Sequence, residues 1–287
     1  MNKKYLSLVL GSLLLLFLFV GCTQMQSLAE DVDKIPETLR VHFIDVGQGD
    51  SILIQTPHNR ENILIDGGSR EAGQLVADYL KNHGVEKINL LIATHPHEDH
   101  IGGLVLLLKT FPVEKIIDSG KKHSSNTYKN YLRTILNQKI PLEIANDQKF
   151  TWEDGLELSI LGPIKKDYEE INNYSVVAKL VYGQVSFLFT GDMEKQAERD
   201  ILDKDLGSTI LKVGHHGSRS STSAHFLRKV NPEAAVISLG VNNDYGHPHE
   251  ITLKKLEKAK VKVYRTDLQG TIQVITDGKQ YQIKTQN

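Results

Sequence analysis

Six consecutive residues carry the most chemical information in this chain: His95-Pro96-His97-Glu98-Asp99-His100. They follow the apolar run at 88–94, which reads as a buried strand. In an extended loop, the side chains at 95, 97 and 99 project to one side, and that of His100 projects to the other. Imidazole and carboxylate groups bind borderline divalent ions such as zinc. The stretch therefore predicts a metal site at a strand end, with donors for two adjacent ions.

Strand and helix patterns alternate on both sides of this stretch. The predicted strands cover 41–45, 51–56, 62–65, 88–94, 115–118, 156–161, 175–182, 185–190, 209–213, 234–239, 261–265, 271–276 and 281–284. The predicted helices cover 71–83, 101–110, 127–137, 194–203, 222–230 and 251–259. This order predicts an α+β fold in which two packed sheets carry helices on their outer faces. Loops at the strand ends would hold the functional residues.

Three further strand ends place metal-type side chains beside glycine, where the backbone can approach a ligand closely. They are Thr190-Gly191-Asp192, Gly214-His215-His216-Gly217-Ser218 and Tyr245-Gly246-His247-Pro248-His249. Taken alone, an aspartate after a strand is more often a helix cap, and a His-Pro pair is more often a turn. Together with the 95–100 stretch, the three ends form one consistent set of candidate ligands.

These motifs resemble the metallo-β-lactamase superfamily and, within it, the hydrolase domain of ComEC-type competence proteins. The 95–100 stretch indicates the superfamily. The ComEC-like branch is indicated by Asp45-Val46-Gly47-Gln48-Gly49-Asp50-Ser51 and by the His215-His216-Gly217-Ser218 motif. The resemblance covers about 41–278 and implies a four-layer αββα sandwich built as a single domain.

The resemblance implies a dinuclear centre with two divalent metal ions, Zn²⁺ or Mn²⁺. The implied ligands are His95 and His97 for the first metal, Asp99, His100 and His247 for the second, and Asp192 as a bridge between them. Asp66 is implied as an outer carboxylate that orients a ligand imidazole. The implied catalytic set is Asp99, Glu194, His215 and His216, in which one of the two adjacent histidines assists a proton transfer. The sequence leaves open which of those two faces the substrate.

The chain departs from the superfamily pattern at Asn172 and Asn173. Many members have a further histidine before the strand that leads to the bridging aspartate, whereas this chain has asparagine there. The first metal would then be held with the help of water or an asparagine oxygen, and we expect it to bind more weakly. Oxygen-rich coordination makes manganese a competitor to zinc. The departure also disfavours β-lactam hydrolysis.

The N-terminus has the pattern of a targeting segment. Lys3 and Lys4 precede an apolar run at 5–20, which ends near Cys22, the only cysteine. The run is short for a spanning helix, which needs about 20 residues, and it suits a signal peptide. Because Val20-Gly21-Cys22 resembles a bacterial lipobox, we expect lipidation at Cys22. The alternatives are an uncleaved membrane anchor or a plain signal peptide.

These patterns divide the chain into three predicted parts. They are a signal peptide at 1–21, a lipidated cysteine with a polar tether at 22–39, and the hydrolase domain at 40–287. The protein would be exported and held on the extracytoplasmic side of the bacterial cell membrane by its lipid anchor. No long heptad or apolar stripe indicates an obligate protein partner.

Net charge gives no direct indication of the substrate. The chain of 287 residues has a formal net charge of -1, without the basic footprint usual in nucleic-acid binding. Lys212, Arg219 and Arg228, near the His-His motif, could steady phosphate oxygens or be ordinary surface cations. DNA is therefore suggested by the resemblance and not by charge.

Three functions remain open from sequence. The first is a metal-dependent phosphodiesterase or nuclease outside the cytoplasmic membrane, with DNA as its anionic substrate. In ComEC proteins this domain accompanies a membrane channel, so we expect any channel here to be a separate protein. The second function is hydrolysis of a small ester, such as a phosphocholine ester or a lactone. The third is a non-enzymatic, metal-stabilised surface binding protein.

Overall fold

A computed structural model describes residues 37–152 and 155–287. The predicted signal peptide, Cys22 and nearly all of the predicted tether lie outside the described residues. Residues Thr38–Asn287 form one compact unit. Within the described part of the chain, no helix is both long enough and apolar enough to cross a membrane.

The described residues form fifteen strands in two sheets. The strands are β1 Leu39–Phe43, β2 Ile52–Gln55, β3 Asn62–Ile65, β4 Ile88–Ala93, β5 Val113–Asp118, β6 Leu142–Ile144, β7 Lys149–Thr151, β8 Leu156–Gly162, β9 Val177–Tyr182, β10 Val185–Phe189, β11 Ile210–Lys212, β12 Ala234–Ile237, β13 Lys262–Arg265, β14 Ile272–Thr276 and β15 Tyr281–Thr285. The first sheet has the order β15-β14-β1-β2-β3-β4-β5-β6, and the second has the order β13-β12-β11-β10-β9-β8-β7.

Helices connect the strands in both halves of the described chain. The α-helices are α1 Gly73–Asn82, α2 Glu98–Ile101, α3 Leu104–Thr110, α4 Asn126–Gln138, α5 Lys195–Asp200, α6 Ala224–Val230, α7 Glu250–Lys258 and α8 Thr266–Gln269. Short 3₁₀ turns cover Pro57–Asn59, Ile171–Tyr174 and Gly214–Gly217. Several parallel strand pairs, such as β3 with β4 and β11 with β12, are joined through these helices.

Three separate apolar clusters show how the layers pack. Within β2, Ile52 and Ile54 belong to the cluster between the two sheets, which also contains Phe187 from the second sheet. Leu53 points the other way, into a cluster with Leu80 of α1. A third cluster packs helices of the second half against the other face of the second sheet. This helix–sheet–sheet–helix arrangement confirms the predicted α+β sandwich.

Several local features differ from the sequence-based prediction, among them one helix boundary and two short strands. The predicted helix at 101–110 is observed as α3, which begins at Leu104, while Ile101 ends the separate helix α2. Gly102 and Gly103 lie between the two helices in close contact with other backbone. A Cβ on Gly103 would lie 2.1 Å from the carbonyl oxygen of Gly67, so the chain packs there more closely than any side chain allows. Strands β6 and β7 were not predicted. Each has three residues, too few for a period-two pattern to be recognised.

Candidate metal centre

The first half of the chain supplies the 95–100 side chains at the end of β4. His95 follows the strand by two residues, and Asp99 and His100 lie in the short helix α2. Two backbone contacts fix this helix: Asp50 N donates to the carbonyl oxygen of Asp99 at 3.2 Å, and Gly67 N donates to that of His100 at 2.8 Å. The strand end and helix therefore present their side chains from a well-anchored backbone.

The second half supplies its polar groups at the ends of β10 and β11, which are parallel neighbours. Gly191 follows β10 with a φ of +48°, and a Cβ there would lie 3.0 Å from the Cβ of Thr94. Glycine thus lets the turn that carries Asp192 lie directly against the end of β4. The side chains of both halves meet at this edge of the two sheets.

The carboxylates and imidazoles of the described residues form three groups whose ligand atoms lie within 4.8 Å of one another, and two of these groups are called subsites here because they contain Asp192. The third group consists of Asp50, Asp66 and His100. The first subsite consists of His95, His97 and Asp192. The second subsite consists of Asp99, His100, Asp192 and His216. Asp192 belongs to both subsites, which is the position expected of a bridging carboxylate.

The donor atoms of the second subsite fit a divalent cation. Within the described residues, His100 Nε2, His216 Nε2 and Asp192 Oδ1 are buried without a hydrogen-bond partner. His100 Nε2 lies 3.3 Å from Asp192 Oδ2, and His216 Nε2 lies 3.3 Å from Asp99 Oδ2. Buried polar atoms are nearly always paired, so this convergence of unpaired nitrogen and oxygen donors matches a metal site.

The second subsite differs from the sequence-based prediction in one residue. His216 belongs to this group, whereas His247, which the resemblance implied as a ligand, does not. His247 instead lines the outer pocket, where its ring stacks on Tyr245 at a centroid distance of 5.6 Å. Within the second subsite, the role of each ligand remains a prediction.

The backbone of the Gly214–Gly217 turn explains why His216 points inward. His215 and His216 both have a positive φ, of +48° and +52°, which is uncommon for residues other than glycine. This turn buries His216 to 1% exposure, and its Nδ1 donates to the carbonyl oxygen of Ser238 at 2.8 Å. His215 is left facing the pocket, with its side chain 24% exposed. The tertiary structure thus gives the two adjacent histidines different surroundings.

Electrostatic interactions stabilise charge on the ligands of the second subsite. Burial lowers the pKa of His100, but the carboxylates of Asp192 and Asp99 outweigh it and hold this pKa well above its usual range. Asp192 shows the reverse: burial raises its pKa, but His216 and His100 hold it well below the usual range. At the first subsite, burial and His100 hold the pKa of His95 well below its usual range. The two subsites therefore differ in charge as well as in composition.

Asp66 lies directly behind the second subsite. His100 Nδ1 donates to Asp66 Oδ2 at 2.7 Å, while the backbone N and hydroxyl of Thr94 donate to the two carboxylate oxygens at 2.8 and 2.6 Å. The side chain is fully buried, which raises the pKa of Asp66. Its contact with His100 is the one through which an outer carboxylate orients a ligand imidazole.

His215 and Glu194 form a hydrogen-bonded pair at the rim of the pocket. His215 Nδ1 lies 3.0 Å from Glu194 Oε1, and Ser220 donates to the same oxygen at 2.9 Å. Burial raises the pKa of Glu194, but the hydrogen bonds from His215, Asn172 and Ser220 outweigh it and lower this pKa. A charged Glu194 thus fixes the Nδ1–H form of His215 and directs its Nε2 towards Asp192, 3.9 Å away.

The two asparagines at the departure from the superfamily pattern have different surroundings. Asn173 Oδ1 accepts from the backbone N of Ala197 at 3.1 Å, so its oxygen caps α5. Asn172 Nδ2 donates to Glu194 Oε1 at 3.2 Å. Asn172 Oδ1 is buried and has no hydrogen-bond partner among the described residues. Of the two amide oxygens, that of Asn172 is therefore the one free for a further ligand.

An open pocket of about 300 Å³ gives access to both subsites. The residues that line it are Gln48, His97, Glu98, Asp99, Asp192, His215, His216, Tyr245 and His247. Tyr245 is 65% exposed although it is a large aromatic residue. Burial and the neighbouring His215 lower the pKa of His247 to about 4, so the ring beneath Tyr245 is neutral at pH 7.

The candidate phosphate-binding cations lie elsewhere. Lys212 is buried to 1% exposure, and its Nζ pairs with Asp50 at 2.7 Å, so it is neither a surface cation nor a substrate contact. Arg219 contacts the ring of His249 outside the pocket, and Arg228 lines a groove between α6 and α7. Sequence proximity was misleading for Lys212 because β11 is central in its sheet and buried on both faces.

Comparisons with known proteins agree with this geometry. A model of the metallo-beta-lactamase superfamily matches residues 44–241. The chain is 33% identical over 251 residues to ComE operon protein 3 of Bacillus subtilis, covering 81% of this chain and 32% of that protein. It is 32% identical over 246 residues to Competence protein ComA of Neisseria gonorrhoeae, covering 84% of this chain and 33% of that protein. The chain thus spans about a third of these curated relatives.

A solved structure shares the fold at low sequence identity. The chain superposes on CmlA, a diiron beta-hydroxylase from Streptomyces venezuelae, with a TM-score of 0.54 and 13% identity, covering 84% of this chain and 54% of that one. At this identity the likeness shows the fold alone. The chemistry of the present chain must be argued from its own residues.

Proposed function

Because the chain belongs to the metallo-β-lactamase superfamily of metal-dependent hydrolases, we propose that it is a dinuclear phosphodiesterase that cleaves DNA. The observation that carries this proposal is the convergence of buried, unpaired donor atoms on Asp192, His100 and His216 beside an open pocket. Phosphodiester hydrolysis needs a nucleophile activated at neutral pH and a stabilised leaving oxygen. The two subsites and the His215–Glu194 pair can meet those two needs.

Two divalent ions bound in the subsites would lower the pKa of water and stabilise negative charge on the phosphoryl group. The second subsite, with two imidazoles and two carboxylates, suits Zn²⁺. The first subsite has two imidazoles and the shared carboxylate, and with water or an asparagine oxygen as a further ligand it would also accommodate Mn²⁺. Both ions should therefore be tested.

His215 is positioned to move a proton. Its Nδ1–H is held by Glu194, which leaves Nε2 as the atom that faces the pocket. In the proposed reaction, the bond from phosphorus to the leaving oxygen breaks, and that oxygen takes a proton from Nε2 of protonated His215. The proton released by the attacking water restores the imidazolium, and the negative charge of Glu194 stabilises it.

DNA is supported as the substrate by the relatives and by the pocket. Two of the matched relatives bear the names of a ComE operon protein and a competence protein. At the pocket rim, Tyr245 presents an exposed ring that stacks on His247. Exposed aromatic side chains stack on the bases of single strands, whatever the base sequence.

We place this activity outside the cytoplasmic membrane, on the basis of the sequence pattern at 1–22. A lipid on Cys22 would hold the enzyme at the membrane surface. Fractionation of cells that express the full chain, with a Cys22→Ala variant as the control, tests this placement.

A small ester is the second candidate substrate because of the charge of the pocket. Among the described residues, no lysine or arginine lines it, whereas Glu98, Asp99 and Asp192 do. A polyanion gains little long-range attraction from such a surface. A phosphocholine ester or a lactone would not need that attraction.

A substrate panel with the full-length protein separates these functions. The substrates are labelled single-stranded DNA, bis(p-nitrophenyl) phosphate, a phosphocholine ester and a lactone, each with Zn²⁺ or Mn²⁺. We expect cleavage of the DNA and of the simple diester, abolished by chelation and by Asp99→Asn. The His225→Gln variant, altered at an exposed position on α6, is the matched control and should remain active.

The panel also defines what would contradict the proposal. Turnover of the phosphocholine ester or lactone without DNA cleavage would favour the second candidate. Absence of turnover on every substrate, in a protein shown to contain two metal ions, would refute the hydrolase proposal and favour a metal-stabilised binding protein.

A further inference from the structure

A buried ion pair lies behind the second subsite. Lys212 Nζ is 2.7 Å from Asp50 Oδ2, and the two side chains are 0% and 2% exposed. Lys212 Nζ also donates to the carbonyl oxygen of Val213 at 3.0 Å. Desolvation of the two charges offsets much of their attraction, so such a pair is weak support for stability by itself. Its presence here calls for a functional reason.

Asp50 contacts each ligand that belongs to the second subsite alone. Its backbone N donates to the carbonyl oxygen of Asp99 at 3.2 Å. Its Oδ1 lies 3.6 Å from Nδ1 of His216, and its Oδ2 lies 3.9 Å from Nδ1 of His100. Oδ1 is buried and has no hydrogen-bond partner among the described residues. The carboxylate is thus oriented with one oxygen on the ammonium group and the other towards a ligand ring.

The pair also joins the two halves of the sandwich. Asp50 precedes β2 of the first sheet, and Lys212 ends β11 of the second. Of the four ligands in the second subsite, Asp99 and His100 come from the first half, and Asp192 and His216 come from the second. A fixed contact between Asp50 and Lys212 therefore sets the distance between the two ligand pairs.

The first subsite has different surroundings. His95 Nδ1 lies 3.1 Å from the hydroxyl of Thr94 and 3.4 Å from that of Ser175. Behind the imidazoles of the second subsite lie the carboxylate of Asp66 and the carbonyl oxygen of Ser238, whereas behind His95 lie these two neutral hydroxyl groups. A negative group behind an imidazole strengthens its bond to a metal more than a neutral hydroxyl does.

We propose that Asp50 and Lys212 are positioning residues that make the second subsite the tighter of the two metal sites. Asp50 places negative charge behind the rings of His100 and His216, whose Nδ1–H groups are held by Asp66 and by the carbonyl oxygen of Ser238. Lys212 balances that charge and fixes the carboxylate between the sheets. This inference rests on the proposed dinuclear centre, but it concerns metal affinity and not the substrate.

The test is a double variant of the full-length protein that removes both charges at similar volume, Asp50→Asn with Lys212→Met. Replacing both members of a buried pair by neutral groups is often tolerated, so we expect a folded protein. The affinity of the tighter metal should fall ~10–100-fold, the range for lost outer-shell partners, while that of the weaker metal stays within about twofold. Competition with a chromophoric chelator measures both affinities. The absorption spectrum of Co²⁺ reports the ligand geometry.

The chain offers a control for charge removal in a second lysine–aspartate pair, which differs from the first in that the Asp205 side chain is 88% exposed. Lys179 and Asp205 are 2.8 Å apart in the same half of the molecule, and neither belongs to a ligand group. The variant Lys179→Met with Asp205→Asn should leave both metal affinities and the Co²⁺ spectrum unchanged. Equal loss of affinity in the two double variants would show a general effect of charge removal and would overturn the proposal.

Two further outcomes are decisive. Wild-type affinity for both ions in the Asp50→Asn, Lys212→Met protein would overturn the proposal. If that protein does not fold, Asp50→Glu keeps the charge but moves it by one methylene. It should weaken the tighter metal and change its Co²⁺ spectrum, and an unchanged site would again overturn the proposal. A protein that shows the expected metal binding but hydrolyses no phosphodiester would refute only the proposed function.

Discussion

The two metal subsites share Asp192 but differ in what surrounds their other ligands. The second has His100 held by Asp66 at 2.7 Å and His216 held by the carbonyl oxygen of Ser238 at 2.8 Å. The first has His95 beside two hydroxyl groups and His97 partly exposed at the pocket. Because the groups behind the ligands contribute charge and orientation, we expect this difference in surroundings to add to the difference in ligand composition.

The largest expected effect comes from removing what the subsites share. Asp192→Asn takes one carboxylate from both groups, so both metals should bind weakly. Loss of several kcal/mol of charge stabilisation corresponds to at least ~10³-fold in kcat/KM, at about 1.4 kcal/mol per factor of ten. Metal analysis and diester kinetics measure this. Retention of one tightly bound ion would show that Asp192 is not a bridge.

Separate substitutions of His216 and His247 test which of the two histidines belongs to the second subsite. His216→Gln should reduce affinity for the tighter metal by at least ~100-fold, more than the loss of an outer-shell partner. His247→Gln should leave both affinities within about twofold, because that ring lies outside both ligand groups. Isothermal titration with Zn²⁺ compares the variants. The opposite result would restore His247 as the ligand.

His215→Gln leaves both subsites intact and removes the proposed proton donor. We expect kcat to fall ~100-fold or more, within the usual range for general acid–base catalysis, with both metal ions retained. The fall in kcat should be smaller for a nitrophenyl diester than for an alkyl diester, because the nitrophenolate oxygen leaves without being protonated. Equal losses for an alkyl and a nitrophenyl leaving group would contradict the proton-transfer role.

The variant Asp66→Asn tests how a carboxylate behind the ligands affects the metal affinities of the two subsites. Because Asp66 contacts His100 directly, the tighter metal should weaken ~10–100-fold. Asp66 is linked to the first subsite through the hydroxyl of Thr94, which lies 2.6 Å from Asp66 Oδ2 and 3.1 Å from His95 Nδ1. The metal of the first subsite should therefore be affected less. Chelator competition on the folded variant measures both, and an equal change at the two subsites would remove the asymmetry.

The smallest effect is expected from Ser175→Ala, at the first subsite. Its hydroxyl lies 3.4 Å from His95 Nδ1 and also accepts from the backbone N of Asp192 at 3.0 Å. Loss of a neutral hydrogen bond costs ~0.5–1.5 kcal/mol, so the weaker metal should lose about two- to tenfold in affinity. A loss confined to the tighter metal would reverse the assignment of the subsites.

The sequence predicted the order of most elements because their apolar periods are clear. The α-helix predicted at 127–137 is observed at Asn126–Gln138, and the strand at 62–65 is observed as predicted. Prediction failed where tertiary contacts override local pattern. Gly102 and Gly103 divide a helix because other backbone packs against them. Asp50 belongs to the motif at 45–51, but its ion pair with Lys212 connects the two sheets. No sequence pattern near either residue predicts that pair.

The amino-acid sequence by itself determined that donor side chains follow several strand ends, because strand periods and flanking glycines are local properties of the chain. It therefore fixed the 95–100 stretch and Asp192 as candidates. Only the tertiary structure decided that the ligand atoms of His216 lie within 4.8 Å of those of Asp99, His100 and Asp192, and that Lys212 is buried. The physical reason is that a left-handed backbone turn and the packing of two sheets set the direction of each side chain, and neither depends on sequence spacing.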